Sequence, residues 1–351
     1  MMAKLVIGTV SPATSVQDAG RFGAQRYGLT QSGAMDALAL ACANTLVGNS
    51  PFTAAIEIGP LGGTFTAHGG ALRLALSGPV RQASVGARQL PLNESALLAD
   101  GESLTLAPAR TGSFTYLALE GGVQGEPVFG SLSVNMRSGL GSPYPRPLQA
   151  GDEISIPEAK SLAHERKLEL PTVSDRPIRV VMGPQDDEFG EATDLFLKSD
   201  WTLSAASDRM GFRLEGPVIK HNGGHNIVSD GTVSGSIQIP GSGQPLVLMP
   251  DRGTTGGYPK IATVIGPDLG RLAQTQIGQK LRFKAISITE AHAEARRYAK
   301  FLASLPDLLR RAGSSGFNLE ALQSANIAGS AVSAMDSLTW QLSHADETST
   351  P

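Results

Sequence analysis

Residues 229–265, SDGTVSGSIQIPGSGQPLVLMPDRGTTGGYPKIATVI, hold the densest group of side chains able to do chemistry. Asp230, Asp251, Arg252, Thr254, Thr255, Tyr258 and Lys260 stand among glycines and prolines between two apolar runs that read as strands. A charged, hydroxyl-rich loop mounted on a sheet is a common way to build a site. Gly256 and Gly257 let backbone approach a ligand closely, since glycine has no Cβ. The plainer reading is a long hairpin connection with ordinary turn residues.

Two further polar groups stand elsewhere. The N-terminal block TSVQDAGRFGAQRYGLTQSGAMD places Asp18 and Arg21 before Ser32-Gly33 and a helix expected over about 34–47. The free N–H groups of a helix start favour an anion. Ser32 is equally suited to cap that helix, Asp36 to sit at its positive end, and Asp18 with Arg21 to form a structural ion pair. The third group is GPQDDEF with SDRMGFRLEG. Here Asp186 and Asp187 suit a helix start over 188–198. Asp208-Arg209 reads as a turn held by a charge pair, although Arg209 also suits a bidentate grip on a bound carboxylate.

The elements that must position these residues are mostly strands. Residues 101–106, 151–156 and 278–283 share one design, a glycine and polar residues followed by alternating apolar positions, which marks half-buried strands. Other strands are expected at 72–76, 114–119, 178–182, 236–239 and 246–249. The 41 glycines and 22 prolines among 351 residues exceed the average usage of roughly 7% and 5%, and imply many tight turns. Short, closely spaced strands argue for barrels or sandwiches rather than a doubly wound parallel sheet.

Length suggests a first domain over 1–165, a polar linker over 165–177 and a second domain over 175–288. After residue 288 the pattern turns helical through 342, with Leu302, Leu305, Leu308 and Leu309 forming an apolar face, and residues 343–351 read as a disordered tail. That face either packs back onto the strands or docks a partner.

Composition and absences exclude several classes. With 41% hydrophobic and 17% charged residues the chain reads as folded, and a net charge of −3 gives no footprint for nucleic acid or anionic membrane. The lone Cys42 lies in an apolar helical pattern and reads as a buried thiol, with no disulfide to form. The start MMAKLVIGTV lacks the features of a signal peptide and no apolar run approaches ~18 residues, so cytoplasmic residence is expected. No P-loop, dinucleotide-binding glycine motif or nucleophile elbow occurs. Glycines separate His221 from His225, and no metal is expected.

Taken together, TSVQDAGRFG with SGAMD and ANTLVGN, GPQDD with SDRMGFRLEG, and SDGTVSGSIQIP with DRGTTGGYPKIATV resemble the carboxyltransferase-domain family over about residues 5–288. That family includes the C subunits of 5-oxoprolinase, the sporulation regulator KipA, allophanate hydrolase subunit 2 and the carboxyltransferase region of urea carboxylase. The resemblance implies a mainly β fold of two tandem cyclophilin-like β-barrel domains, here followed by the C-terminal helical extension. It also implies partners: a KipI-like chain or the B component of 5-oxoprolinase, and the A component. The activity it implies is ATP-dependent opening of the lactam 5-oxo-L-proline to L-glutamate, with ATP used at the level of the complex. The alternatives are biotin-dependent carboxyl transfer to urea or a related amide, or a KipA-like regulatory binding protein without catalysis. No Ala-Met-Lys-Met-like acceptor is present, so any biotin would ride on a partner.

Carried onto this chain, the resemblance marks Asp251, Tyr258 and Lys260 as catalytic candidates. It marks Asp18, Arg21, Ser32, Asp36, Arg209, Arg252, Thr254 and Thr255 as substrate-binding candidates. Gly253 stands where the family usually carries glutamine, and Leu132 where it tends to carry arginine. Both departures bear on substrate choice.

Overall fold

The computed structural model of the chain describes residues 2–160, 164–170 and 176–312. Alternation dictates the first layer. Ser103–Leu106 and Glu153–Pro157 bury every second side chain, as the period-two pattern requires. They join a six-stranded sheet in the order Glu153–Pro157, Met2–Val10, Gly63–His68, Ser103–Leu106, Ala83–Val85 and Arg88–Gln89. A five-stranded sheet runs Ser15–Gln17, Ala55–Ile58, Thr115–Leu119, Leu72–Ser77 and Ser95–Leu98. Its central strands are buried on both faces. One face joins Leu5, Ile7, Phe65, Leu104 and Ile154 of the first sheet in one core. The other packs under helix α1, Ala37–Leu46, through Ala55, Ala75, Tyr116 and Ala118.

In the second half, eight strands form one sheet: Lys280–Leu281, Trp201–Leu203, Gly211–Glu215, Leu246–Leu248, Ser236–Gln238, Lys260–Val264, Ile178–Met182 and Phe283–Ala285. Its two edge strands are separated in sequence by Arg282 alone, which is possible only if the sheet curls almost into a barrel. Every pairing is antiparallel except Ile178–Met182 with Phe283–Ala285. Its interior is filled by Val180, Phe196, Trp201, Leu214, Ile237, Val247, Ile261 and Phe283. Both halves belong to one compact unit.

Several local expectations shift. The acids of 186–188 stand in a single 3-10 turn, and helix α2 begins later, spanning Ala192–Lys198. The expected linker carries a strand, Arg166–Leu168, paired with Leu309–Arg311. Between them, helices α3, Gly266–Ala273, and α4, Ile288–Ser304, complete the second half, and α4 opens with a capping box of Ser287 and Glu290. Leu305 is fully buried beside Leu168 and α1, with Leu302, Leu308 and Leu309 around it, so this apolar face packs back onto the first half. The expected helix beyond 312 and the tail at 343–351 lie outside the described residues. Among the described residues no helix is long and apolar enough to cross a membrane.

Candidate functional site

Glu57 lies in the fully buried strand Ala55–Ile58, where a carboxylate is costly unless paired. Tyr116 Oη and the Met35 backbone N–H donate to its Oε2, and Arg209, from the second half, donates to its Oε1. The same guanidinium grips Asp251 with Nε to Oδ2 at 2.9 Å and Nη2 to Oδ1 at 3.2 Å, and donates to Gly33 O at 2.7 Å. Burial opposes the charge on Arg209, but Asp251 and Glu57 outweigh it and hold the group more firmly protonated. Burial, then Glu57 and Asp36, push the Tyr116 hydroxyl well above the usual range, so it remains a donor.

This seam corrects several readings. Arg209 has no spare reach for a ligand carboxylate, because its hydrogen bonds end on Asp251, Glu57 and Gly33. Nor does it pair with Asp208, whose Oδ1 accepts from the N–H groups of Met210 and Gly211. Asp36, not Ser32, caps α1, accepting from Leu38 and Ala39 N–H at 3.1 Å each, while Gln274 Nε2 donates to its other oxygen at 2.9 Å. Asp36 is thereby removed from ligand binding. Asp18 is likewise consumed: Oδ1 accepts from Gly20 N–H, Ser131 Oγ and Ser133 Oγ, and Oδ2 from Leu132 N–H. Asp251 has both oxygens in the Arg209 fork, which makes it an anchor of its turn rather than a free base.

The remaining candidates divide into two neighbouring groups. On the first half, Arg21 is 1% exposed, and its guanidinium donates one hydrogen bond, to Ser133 O. Ser32 sits at φ +53°, a conformation uncommon outside glycine, with its Oγ accepting from Asn135 Nδ2 at 3.0 Å. Ser32 N–H and Thr30 Oγ1 both donate to Pro250 O, at 3.0 and 3.1 Å, and so tie this group to the Asp251 turn.

On the second half, segment 230–234 is shared by two cations. Arg252, 2% exposed, donates to Ser234 Oγ at 2.8 Å and Thr232 O at 3.4 Å, and its Nε has no hydrogen-bond partner among the described residues. Burial alone lowers its pKa, with no carboxylate opposing the effect. Lys260 Nζ donates to Asp230 Oδ2 at 2.6 Å and Gly231 O at 3.2 Å, and this bond holds the Asp230 carboxyl below its usual range. The strand Thr255–Gly256 pairs with Asp230–Gly231. Thr254 O accepts from Thr232 N–H, and Thr255 and Tyr258 are exposed. The Tyr258 hydroxyl has no hydrogen-bond partner among the described residues. Gln238 Nε2 donates to Tyr258 O, and Gln185 Oε1 accepts from Lys260 N–H.

Sequence reasoning missed Glu57, Tyr116, Asn135, Gln185 and Ser234. Glu57 had a local signal, a single acid in the run Ala-Ile-Glu-Ile. Cys42 is fully buried, and burial pushes its thiol up to about 12. His221 Nε2 lies 2.9 Å from Ile239 O. Among the described residues no group of three or more His, Cys, Asp or Glu is placed to hold a metal ion.

A six- and a five-stranded layer followed by a near-closed eight-stranded sheet, joined by a polar seam, is the architecture of a carboxyltransferase domain. Residues 27–285 match the family model "Carboxyltransferase domain, subdomain A and B", and the chain belongs to that family. It is similar to the 5-oxoprolinase C-subunit of Escherichia coli (strain K12), 37% identical over 296 residues, covering 83% of this chain and 94% of that one. The similarity to the 5-oxoprolinase C-subunit of Haemophilus influenzae is 35% identity over 82% of this chain and 93% of that one. Among solved structures, Kluyveromyces lactis urea carboxylase superposes with a TM-score of 0.78 at 28% identity, over 86% of this chain and 29% of that one.

Proposed function

We propose that this chain is the C component of a 5-oxoprolinase-type complex, acting with the A and B components in the ATP-dependent opening of 5-oxo-L-proline to L-glutamate. The observation that carries the reading is the place of Arg252, a buried guanidinium whose Nε has no partner and which pairs with no carboxylate among the described residues, in the same turn as the exposed Thr255 and Tyr258. Such a group is costly until an anion arrives, and it suits the substrate carboxylate. Sequence similarity supports the choice of lactam over urea: the two bacterial C-subunit proteins match at 37% and 35% along nearly their whole length, the Kluyveromyces lactis urea carboxylase at 28% over 29% of its own.

In this reading Arg252 fixes the substrate, with Thr254 and Thr255 beside it. Lys260, held in place by Asp230 and Gly231 O, supplies positive charge to the same strand segment, suited to a carbonyl oxygen gaining negative charge. The lactam nitrogen must gain a proton as its bond to the carbonyl carbon breaks, and the free Tyr258 hydroxyl is the group we assign to that transfer. The residues carry no nucleotide-binding glycine motif, so nucleotide use is assigned to the complex rather than to this chain.

The test is reconstitution with the A and B components and measurement of glutamate formed from 5-oxo-L-proline and ATP. Arg252→Gln is expected to lower kcat/KM by about 10²-fold, the scale of one lost charge-assisted contact, while the circular dichroism spectrum stays unchanged. Undiminished activity removes Arg252 from the site. A wild-type complex inert toward 5-oxo-L-proline, yet carboxylating urea from carboxybiotin on a partner, overturns the reading.

A further inference from the structure

Arg21 is a second buried cation whose partners do not satisfy it. Among the described residues its Nε and Nη1 have no hydrogen-bond partner, and the one hydrogen bond of its guanidinium ends on a neutral carbonyl, Ser133 O. Two carboxylates lie within charge range, Asp18 and Asp251, but both are spent. Asp18 accepts from four donors, and Asp251 is locked in the Arg209 fork. Ser32, at positive φ, is its neighbour: Arg21 N–H donates to Gln31 O at 2.7 Å, and Ser133, which accepts from the guanidinium, stands two residues from Asn135, which donates to Ser32 Oγ. The Ser32 hydroxyl accepts from Asn135 and reaches no acceptor closer than Thr30 Oγ1 at 3.4 Å, so its proton can turn to a ligand. Buried Arg81 differs in degree: both of its Nη atoms donate to carbonyls, of Gly59 and Ala107, and among the described residues only its Nε lacks a partner, against two of the three guanidinium nitrogens of Arg21.

We propose that Arg21 and Ser32 form an oxyanion subsite of their own, for a carboxylate or phosphate group, on the first half of the molecule beside the Pro250 turn. A guanidinium fork and a hydroxyl donor match the oxygens of either group. The subsite is covered as it stands. Arg21 heads a loop whose Phe22 and Tyr27 are 71% and 63% exposed, so those two side chains do not pack over the subsite. With Arg252 on the adjoining segment, the site would accept a ligand bearing two anionic groups.

Three titrations of the full chain test this, followed by calorimetry: inorganic phosphate, L-glutamate and 5-oxo-L-proline. The inference rests on the preceding reading only for the last two probes, and the phosphate titration stands without it. If the subsite takes a phosphoryl group, phosphate binds and Arg21→Gln weakens it at least tenfold, with Arg21→Lys intermediate. If it takes a second carboxylate, glutamate binds more tightly than 5-oxo-L-proline and Arg21→Gln erases that preference. Ser32→Ala, which leaves the buried charge in place, carries the same test if Arg21→Gln does not fold, with an expected weakening of several-fold. Affinities for phosphate and glutamate that are unchanged in these variants overturn the proposal, whether or not the complex proves to be a 5-oxoprolinase.

Discussion

Arg209 and Asp251 meet as a two-bonded fork, 2.9 and 3.2 Å, and the same guanidinium crosses to Glu57 in the other half of the molecule. The three side chains are nearly solvent-free, so each charge depends on the others. Arg209→Met leaves two buried carboxylates without a cation, which is expected to cost about 3–5 kcal/mol. Urea unfolding followed by Trp fluorescence measures it. A loss below about 1 kcal/mol would mean that the seam is not held by this network. Because the deficit comes from stranded charge, adding Glu57→Gln and Asp251→Asn to Arg209→Met should recover part of it.

That network also shows where the sequence was legible. Strands with one solvent face were readable, since burial alternates along Ser103–Leu106 and Glu153–Pro157 as their residue types do. Arg209 was not, because local turn chemistry nominated Asp208 as its partner. Its actual partners lie 42 and 152 positions away, and only the folded chain brings two buried acids to one cation. The same logic separates the candidates. Asp18, Asp36 and Arg209 had the right residue types for a site, yet their hydrogen bonds are completed internally. Arg21 and Arg252 share those types and differ only in what is missing around them, which no spacing rule reports.

Gly270→Ala should reverse the usual sign of a helix substitution. Alanine at an ordinary helix interior position gains roughly 1 kcal/mol over glycine. Here a Cβ would lie 2.6 Å from Asp36 Oδ1, and that carboxylate is fixed by the α1 cap and by Gln274. The variant is expected to lose about 1–3 kcal/mol. A stabilised variant in thermal unfolding would show that the α1–α3 contact is loose.

Gly253→Gln installs the side chain that the family resemblance implies at this position. Gly253 is exposed and does not need positive φ, and the tightest contact of an added Cβ is Thr255 O at 3.2 Å. Stability should stay within about 0.5 kcal/mol. The informative readout is kcat/KM of the reconstituted complex for 5-oxo-L-proline against urea. A change in their ratio assigns position 253 to substrate choice, and a constant ratio removes it.

Cys42 gives a prediction in pH. Burial raises the folded thiol from 9.0 to about 12, so the folded chain keeps a proton that the unfolded chain releases. By linkage the stability this represents is fully present below pH 9 and is lost as pH rises from 9 through 12. Cys42→Ala cannot show that loss, although it gives up some packing at every pH. The wild-type advantage in urea midpoint at about pH 8 should therefore shrink steadily by about pH 11. Tyr116, raised in the same sense, titrates in both proteins and cancels from the comparison. A difference that stays constant from about pH 8 to 11 would show that the thiol is open to ionisation in the folded chain, contrary to its full burial on the packed face of α1.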